Sequence, residues 1–182
     1  MSIGAILPER ITTTRLEIRR PRASDAEAIF ARYACDPDVT KYLGWRRHRT
    51  IDDTRAFIDW CEQEWRHGAG AAYLVHSRDD GRLVGGTGLE FETSYRASTG
   101  YVFERDAWGS GFATEVLAAM TDVAFAHSAI HRVSLLCHVD HGASARVAEK
   151  CGYVREGVLR KYLVFPNLRA EPADVVMFSR TR

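Results

Sequence analysis

The sequence predicts one mixed α/β domain built on a central sheet, and three observations predict it. The chain has 182 residues, within the roughly 100–200 expected of a single domain. Its apolar residues alternate between period two and a spacing of three to four, the signatures of strand and helix in turn. No internal repeat, low-complexity tract or linker interrupts the pattern, so the order βααβββαβαββ runs through a single unit over 1–182, with its core over about 12–180.

The elements follow in order. Arg15 to Arg19 alternates charged and apolar residues and reads as a half-buried strand ending at Pro21. Ser24 and Glu27 have capping-box spacing ahead of Ile29, Phe30 and Tyr33, which predicts a first helix. Asp36-Pro37-Asp38 breaks it, and Thr50 offers a second N-cap before Phe57, Ile58, Cys61 and Trp65, a helix expected to end at Gly68. Ala71 to Val75 and Leu83 to Leu89 read as strands joined by the turn chemistry of Arg78 to Arg82. A strand over Thr99 to Phe103 leads through Gly109 and Gly111 into a long helix with Phe112, Val116, Met120 and Val123 on one face. Val133 to Val139 is a strand, Ser144 to Lys150 a short helix stopped by Gly152, and Tyr153 to Val164 and Val175 to Phe178 close the sheet.

Composition removes several function classes. With 46% hydrophobic and 27% charged residues the chain is neither disordered nor disulfide-dense. A net charge of +1 leaves no global polycation to hold nucleic acid or an anionic membrane. Cys35, Cys61, Cys137 and Cys151 form no C-x-x-C pair and read as reduced, mostly buried thiols. The opening MSIGAILPERITTTR lacks a basic region before its apolar stretch and is not read as a secretory signal, and no run reaches the ~18 apolar residues of a membrane span. A cytoplasmic protein, a monomer or homodimer, is expected. His138 and His141 with Asp140 suggest a metal site only superficially, since residues three apart on a strand point to opposite faces; no metal is expected.

The chemistry concentrates in two stretches. Tyr101 to Glu115 runs from a strand through Gly109-Ser110-Gly111 into a helix, a turn that exposes main-chain N–H groups at a helix N-terminus and suits a phosphate. No Gly-Lys-Ser/Thr follows, and there is no third glycine with an acidic residue on the next strand, so neither nucleotide loop applies. Glu104, just before the turn, is badly placed beside a diphosphate. The second stretch is Cys137 to Gly157. Together, Trp108-Gly109-Ser110-Gly111-Phe112-Ala113-Thr114-Glu115 and Ser144 through Lys150-Cys151-Gly152-Tyr153-Val154-Arg155-Glu156-Gly157 resemble the GNAT acyl-CoA N-acetyltransferases, in particular the RimJ/RimL-like branch. Thr13 to Arg19, Asp36 to Val39 and Gly100-Tyr101 are similar to that branch too.

The resemblance implies a mostly antiparallel sheet, flanked by helices and splayed in the middle to admit acetyl-CoA. It implies direct attack of a primary amine on the thioester, with acetyl-CoA as co-substrate. Val102, Phe103, Trp108, Gly109, Ser110, Gly111, Phe112, Ala113, Thr114, His141, Ser144 and Lys150 are the implied coenzyme contacts. His141 stands where the branch has asparagine, and Asp106 where it has Gln or Arg. A pH-dependent coenzyme affinity is expected from His141. Many members supply the thiolate's acid from a helix tyrosine, but Ala148 occupies that position; the branch implies Ser144 instead, which also reads as a helix N-cap. Leu163 aligns with the branch's base. Glu90 and Glu92, two apart on a strand and so on one side, are the candidate bases.

The acceptor is expected to be a peptide or protein α-amine. Such an amine has a pKa near ~7.7–8.0 and needs little help to lose its proton, while the Trp45-Arg46-Arg47-His48-Arg49 loop suits an acidic or backbone-rich peptide. A small-molecule amine and a non-catalytic acyl-CoA sensor are the alternatives.

Overall fold

The computed structural model describes residues 7–67 and 70–182. One eight-stranded sheet carries the domain, from β1 (Arg10–Thr12), β2 (Leu16–Arg19), β3 (Gly70–Ser77), β4 (Leu83–Phe91) and β5 (Arg96–Phe103) to β6 (Arg132–His138), β7 (Val154–Val164) and β8 (Pro172–Thr181), in the order β1-β2-β3-β4-β5-β6-β8-β7. All neighbours are antiparallel except β5 and β6. Those two pair in parallel over only Arg96–Ser98 and Arg132–Ser134. Beyond Ser98 they separate, while β4 stays paired to β5 as far as Phe103 and β8 stays paired to β6 as far as His138. The splay is therefore a slot between two intact half-sheets.

Helices cover both faces. α4 (Phe112–Ala126) and α5 (Gly142–Lys150) pack on one, where Val116, Leu117 and Met120 meet Val75, Leu135 and Phe178 in one buried core. On the other, α1 (Ala26–Ile29) and α3 (Ile51–His67) bury Ile29, Tyr33 and Ile58 against Leu74 and Leu83. Tyr73 and Leu74, adjacent in β3, serve opposite cores, as alternation along a strand requires.

Local chemistry explains most boundaries. Thr50 and Asp53 cap α3 reciprocally: Asp53 Oδ2 accepts the Thr50 N–H at 2.9 Å and Thr50 Oγ1 accepts the Asp53 N–H at 3.4 Å. The expected stop of that helix at Gly68 lies outside the described residues. The first helix differs from expectation. It begins with a 3-10 turn at Ala23–Asp25, and the cap is Asp25, whose Oδ2 takes the Arg22 N–H at 2.7 Å, rather than Ser24 with Glu27. Arg19, bonded to both Asp25 oxygens at 2.9 and 2.7 Å, draws the start one turn earlier and onto β2. The helix then loosens into a π-helical stretch, Phe30–Ala34. β1 and the single turn α2 (Pro37–Thr40) are additions too short to show a period. Among the described residues no helix is long and apolar enough to cross a membrane.

Candidate active site

β5 leaves the sheet at Phe103 and reaches α4 through a 3-10 turn at Arg105–Ala107. Gly109 (φ 76°) and Gly111 (φ 83°) then take left-handed conformations that L side chains adopt only under strain. The first N–H groups of α4 consequently face outward without intrahelical acceptors. A Cβ at Gly109 meets nothing within 4 Å, so the main chain there is open to a bulky anion, and the donors are backbone groups that a diphosphate fits. Ser110 Oγ donates to the Ala107 carbonyl at 2.6 Å, and the Trp108 indole, itself 52% exposed, donates to the Phe103 carbonyl at 2.9 Å. Phe112 is half-buried beneath the Arg15 guanidinium, 4.8 Å from its ring centre, while Ala113 packs on the core and the Thr114 carbonyl accepts from Cys151 Sγ at 3.3 Å. Glu104 turns away from the anion site: it is buried, paired with Arg32 at 3.4 Å and Arg82 at 3.2 Å.

The turn is braced from the far end of the chain. Glu115, in the first turn of α4, accepts from Thr13 Oγ1 at 2.6 Å and from the Arg15 N–H and Nε at 2.8 and 2.7 Å. Arg15 Nη1 also donates to the Ser110 carbonyl at 2.8 Å. Partial burial raises the Glu115 carboxyl pKa, but these bonds outweigh it and hold the group below the ordinary carboxylate range.

The slot between β5 and β6 opens onto a cavity of about 540 Å³. Its floor is the row Ala72, Gly88 and Gly100, paired across β3, β4 and β5, and a Cβ at Gly100 would meet nothing within 4 Å. Phe57, Trp60 and Glu64, one face of α3 at i, i+3 and i+7, form a wall opposite. Ser144 of α5 and Tyr101 of β5 meet at the slot, with Oγ and Oη 2.9 Å apart. Beside them Cys137 also lines the cavity, and burial raises its thiol pKa, which keeps it protonated at neutral pH. The chain has 25 Lys+Arg, yet among the described residues none of them lines this cavity. Among the described residues lining it, the histidines His48 and His141 are shifted downward chiefly by burial and are neutral at pH 7, and the acidic side chains are Glu64 and Glu90.

The acetyltransferase (GNAT) domain family matches residues 15–154. The chain belongs to the GNAT acetyltransferase family. An uncharacterized N-acetyltransferase of Bacillus subtilis, YoaA, is 31% identical over 84% of this chain and 87% of its own. Among solved structures, a GNAT-family acetyltransferase from Bacillus anthracis is 28% identical, with a TM-score of 0.81 over 94% of this chain and 98% of that one. RimL, a ribosomal-protein α-N-acetyltransferase solved with coenzyme A, shares the fold at 22% identity and a TM-score of 0.82, over 95% and 98% of the two chains.

Against the GNAT pattern, the implied coenzyme residues divide. Val102 lines the cavity, whereas Phe103 is buried beside Phe112, their rings 6.4 Å apart. Lys150 is exposed in the last turn of α5. His141 is half-buried, its ring 4.8 Å from that of Tyr42. His138 stacks on the same ring at 5.0 Å, because β6 ends at His138 and the chain then turns, so strand alternation does not separate the two. Among the described residues no group of three or more His, Cys, Asp or Glu is placed to hold a metal ion.

Ser144 caps nothing: His141 holds the N-cap position, its carbonyl accepting the Ser144 N–H at 3.0 Å, which frees the Ser144 hydroxyl for Tyr101. Ala148 is fully buried where other members place a phenol. Glu90 lines the cavity, on the same face as Gly88. Glu92 does not join it, because β4 ends at Phe91 and Glu92 turns to Arg96 at 3.8 Å. The Trp45–Arg49 loop is likewise split. Trp45 and His48 line the cavity, while Arg46, Arg47 and Arg49 are exposed and are not among its lining residues.

Sequence reasoning missed Glu64, the Phe57–Trp60 wall and the Tyr101 hydroxyl. The i, i+3, i+7 spacing of Phe57, Trp60 and Glu64 was the available signal for the first two; the likeness of Gly100-Tyr101 to the branch marked the third residue but not the partner of its hydroxyl.

Proposed function

We propose that this GNAT acetyltransferase transfers acetyl from acetyl-CoA to a primary amine, with the coenzyme diphosphate on the backbone of residues 107–113 and the thioester beside Ser144. The observation that carries the reading is the slot: it has the Ser144 and Tyr101 hydroxyls at its edge and opens on the glycine-floored cavity, where an acceptor has room. The amine attacks the thioester carbon directly. Glu90 takes up the amine's proton and Ser144 donates to the departing sulfur, whose thiol form has a pKa near ~8.5. The protonated state of Cys137 agrees with a path that uses no acyl-cysteine.

The acceptor is a neutral or basic peptide α-amine. Its pKa near ~7.7–8.0 suits a site in which Leu163, not a carboxylate, fills the position of the branch's base. RimL, with the same fold, is named for acting on such an amine. An acidic peptide loses its support, because Arg46, Arg47 and Arg49 do not line the cavity while Glu64 and Glu90 do. Those two carboxylates favour a second reading, a small cationic amine such as a polyamine. The four free cysteines support a reducing, cytoplasmic setting.

The test is thiol release from acetyl-CoA with peptides differing only in the charge of residue two, with spermidine and with an aminoglycoside. Neutral and basic peptides should exceed the acidic one in kcat/KM by at least tenfold. A polyamine or aminoglycoside preferred by more than tenfold selects the second reading, and coenzyme binding without thiol release for any amine makes the protein a sensor.

A further inference from the structure

We propose that Tyr101 is a positioning residue for the transfer described above, its phenol donating to Ser144 Oγ so that the serine's own proton is left for the coenzyme sulfur. The inference rests on that acetyl-transfer reading.

The two oxygens are 2.9 Å apart, and their 43-residue separation in sequence is bridged only by the fold. Of two hydroxyls in contact, the phenol is the better donor and the alcohol the better acceptor, since a phenol has a pKa near ~10 and an alkyl hydroxyl lies far above it. The Tyr101 proton therefore points at Ser144, and the Ser144 proton is left for an acceptor on the serine's other side, where the Cys137 sulfur is its neighbour until the coenzyme sulfur takes that place. Accepting one hydrogen bond also strengthens the next one that the serine donates. Burial pushes the Tyr101 phenol up to about 12, so it is protonated throughout the working range.

The fold holds the phenol still although β5 has lost its β6 neighbour at this point. Thr87 Oγ1 donates to the Gly100 carbonyl at 2.8 Å and Thr99 Oγ1 to the Gly88 carbonyl at 2.7 Å, pinning to β4 the stretch of β5 that carries Tyr101. The fully buried Ala148 makes the helix-borne phenol of other members unavailable. A phenol from β5 reaches the same helix from the opposite wall of the slot.

The proton count closes. The C–N bond forms and the C–S bond breaks, with the electron pair leaving on sulfur. Sulfur takes the Ser144 proton, Ser144 takes that of Tyr101, and the proton that Glu90 takes from the amine is returned to the phenol at the end of the cycle.

Hydroxylamine is the probe nucleophile, because it is small, unprotonated at neutral pH and independent of acceptor recognition. Tyr101→Phe, which removes one oxygen and keeps the ring, should lower kcat for hydroxylamine acetylation by tenfold or more. It should leave the acetyl-CoA Kd within threefold and the Tm nearly unchanged. Ser144→Ala should lose at least as much, and the double variant should be no slower than Ser144→Ala, because both hydroxyls act on one proton. An active wild type with Tyr101→Phe at full kcat, or a double variant slowed by the product of the two single effects, overturns the inference while leaving the acetyl-transfer reading in place. A wild type that binds acetyl-CoA yet releases no thiol with hydroxylamine or with any of the peptides, spermidine or the aminoglycoside overturns both.

Discussion

Arg15 and Glu115 stand a hundred residues apart in sequence and join the β1–β2 loop to the first turn of the helix that opens behind the glycine pair. The pair sets the angle at which the backbone donors of the turn are presented, since Arg15 also holds the Ser110 carbonyl. Glu115→Ala should cost about 2 kcal/mol of stability, reduced by the half-exposure of Arg15. For a domain of this size that is roughly 4–8 °C in Tm. The acetyl-CoA Kd should rise several-fold by calorimetry. Glu115→Gln, which keeps an acceptor for Thr13, should lose less of both; equal losses would contradict this account.

Gly111→Val should raise the acetyl-CoA Kd at least tenfold, about 1.4 kcal/mol. A β-branched residue is strained at φ 83°, and its Cβ comes to 3.4 Å from Arg15 Nη2. A folded variant with wild-type affinity in titration calorimetry would remove the turn from the coenzyme site.

Glu90→Gln should abolish the acidic limb of the pH profile of kcat/KM, because Glu90 lines the cavity on the glycine face. Glu92→Gln should keep the wild-type profile, its carboxylate being engaged with Arg96 beyond the end of β4. If both variants retain the limb, the amine's proton leaves through water.

Burial lowers the pKa values of His48, His76 and His141 in the folded protein. The unfolded chain then binds protons more readily than the folded one below the ordinary histidine pKa of about 6.5. The stability these groups contribute is fully present above that value and is lost as pH falls through their depressed folded values. Tm should be level from pH 8 to 7 and decline below about 6.5. Coenzyme affinity should also be level from pH 7 to 8.5, since His141 is already neutral there; a Kd that changes across that interval would show that His141 titrates higher than its burial allows.

The sequence alone determined the parts of this protein that short-range sterics and periodicity control. The apolar spacing of α4, the Thr50 cap, the hairpin at Gly81 and the turn through Gly109 and Gly111 depend on neighbours within a few residues, and each is legible in the order of the residues themselves. The motif around Trp108 to Glu115 likewise points to the family, because an anion site at a helix N-terminus is a local object. Only the tertiary structure decided which side chains share the cavity. Cys61 and Trp65 of α3 face the core while Phe57, Trp60 and Glu64 of the same helix face the cavity; helical spacing groups each set, but which face meets the cavity is set by where the helix packs. The end of β4 at Phe91 parted Glu90 from Glu92, and the departure of β6 from β5 after Ser98 opened the slot. In sequence, Ser144 reads both as the acid that the resemblance implies and as a helix cap. Its hydroxyl is the partner of Tyr101 because α5 and β5 converge across that slot, a juxtaposition set by the packing of whole elements and invisible to the residues on either side.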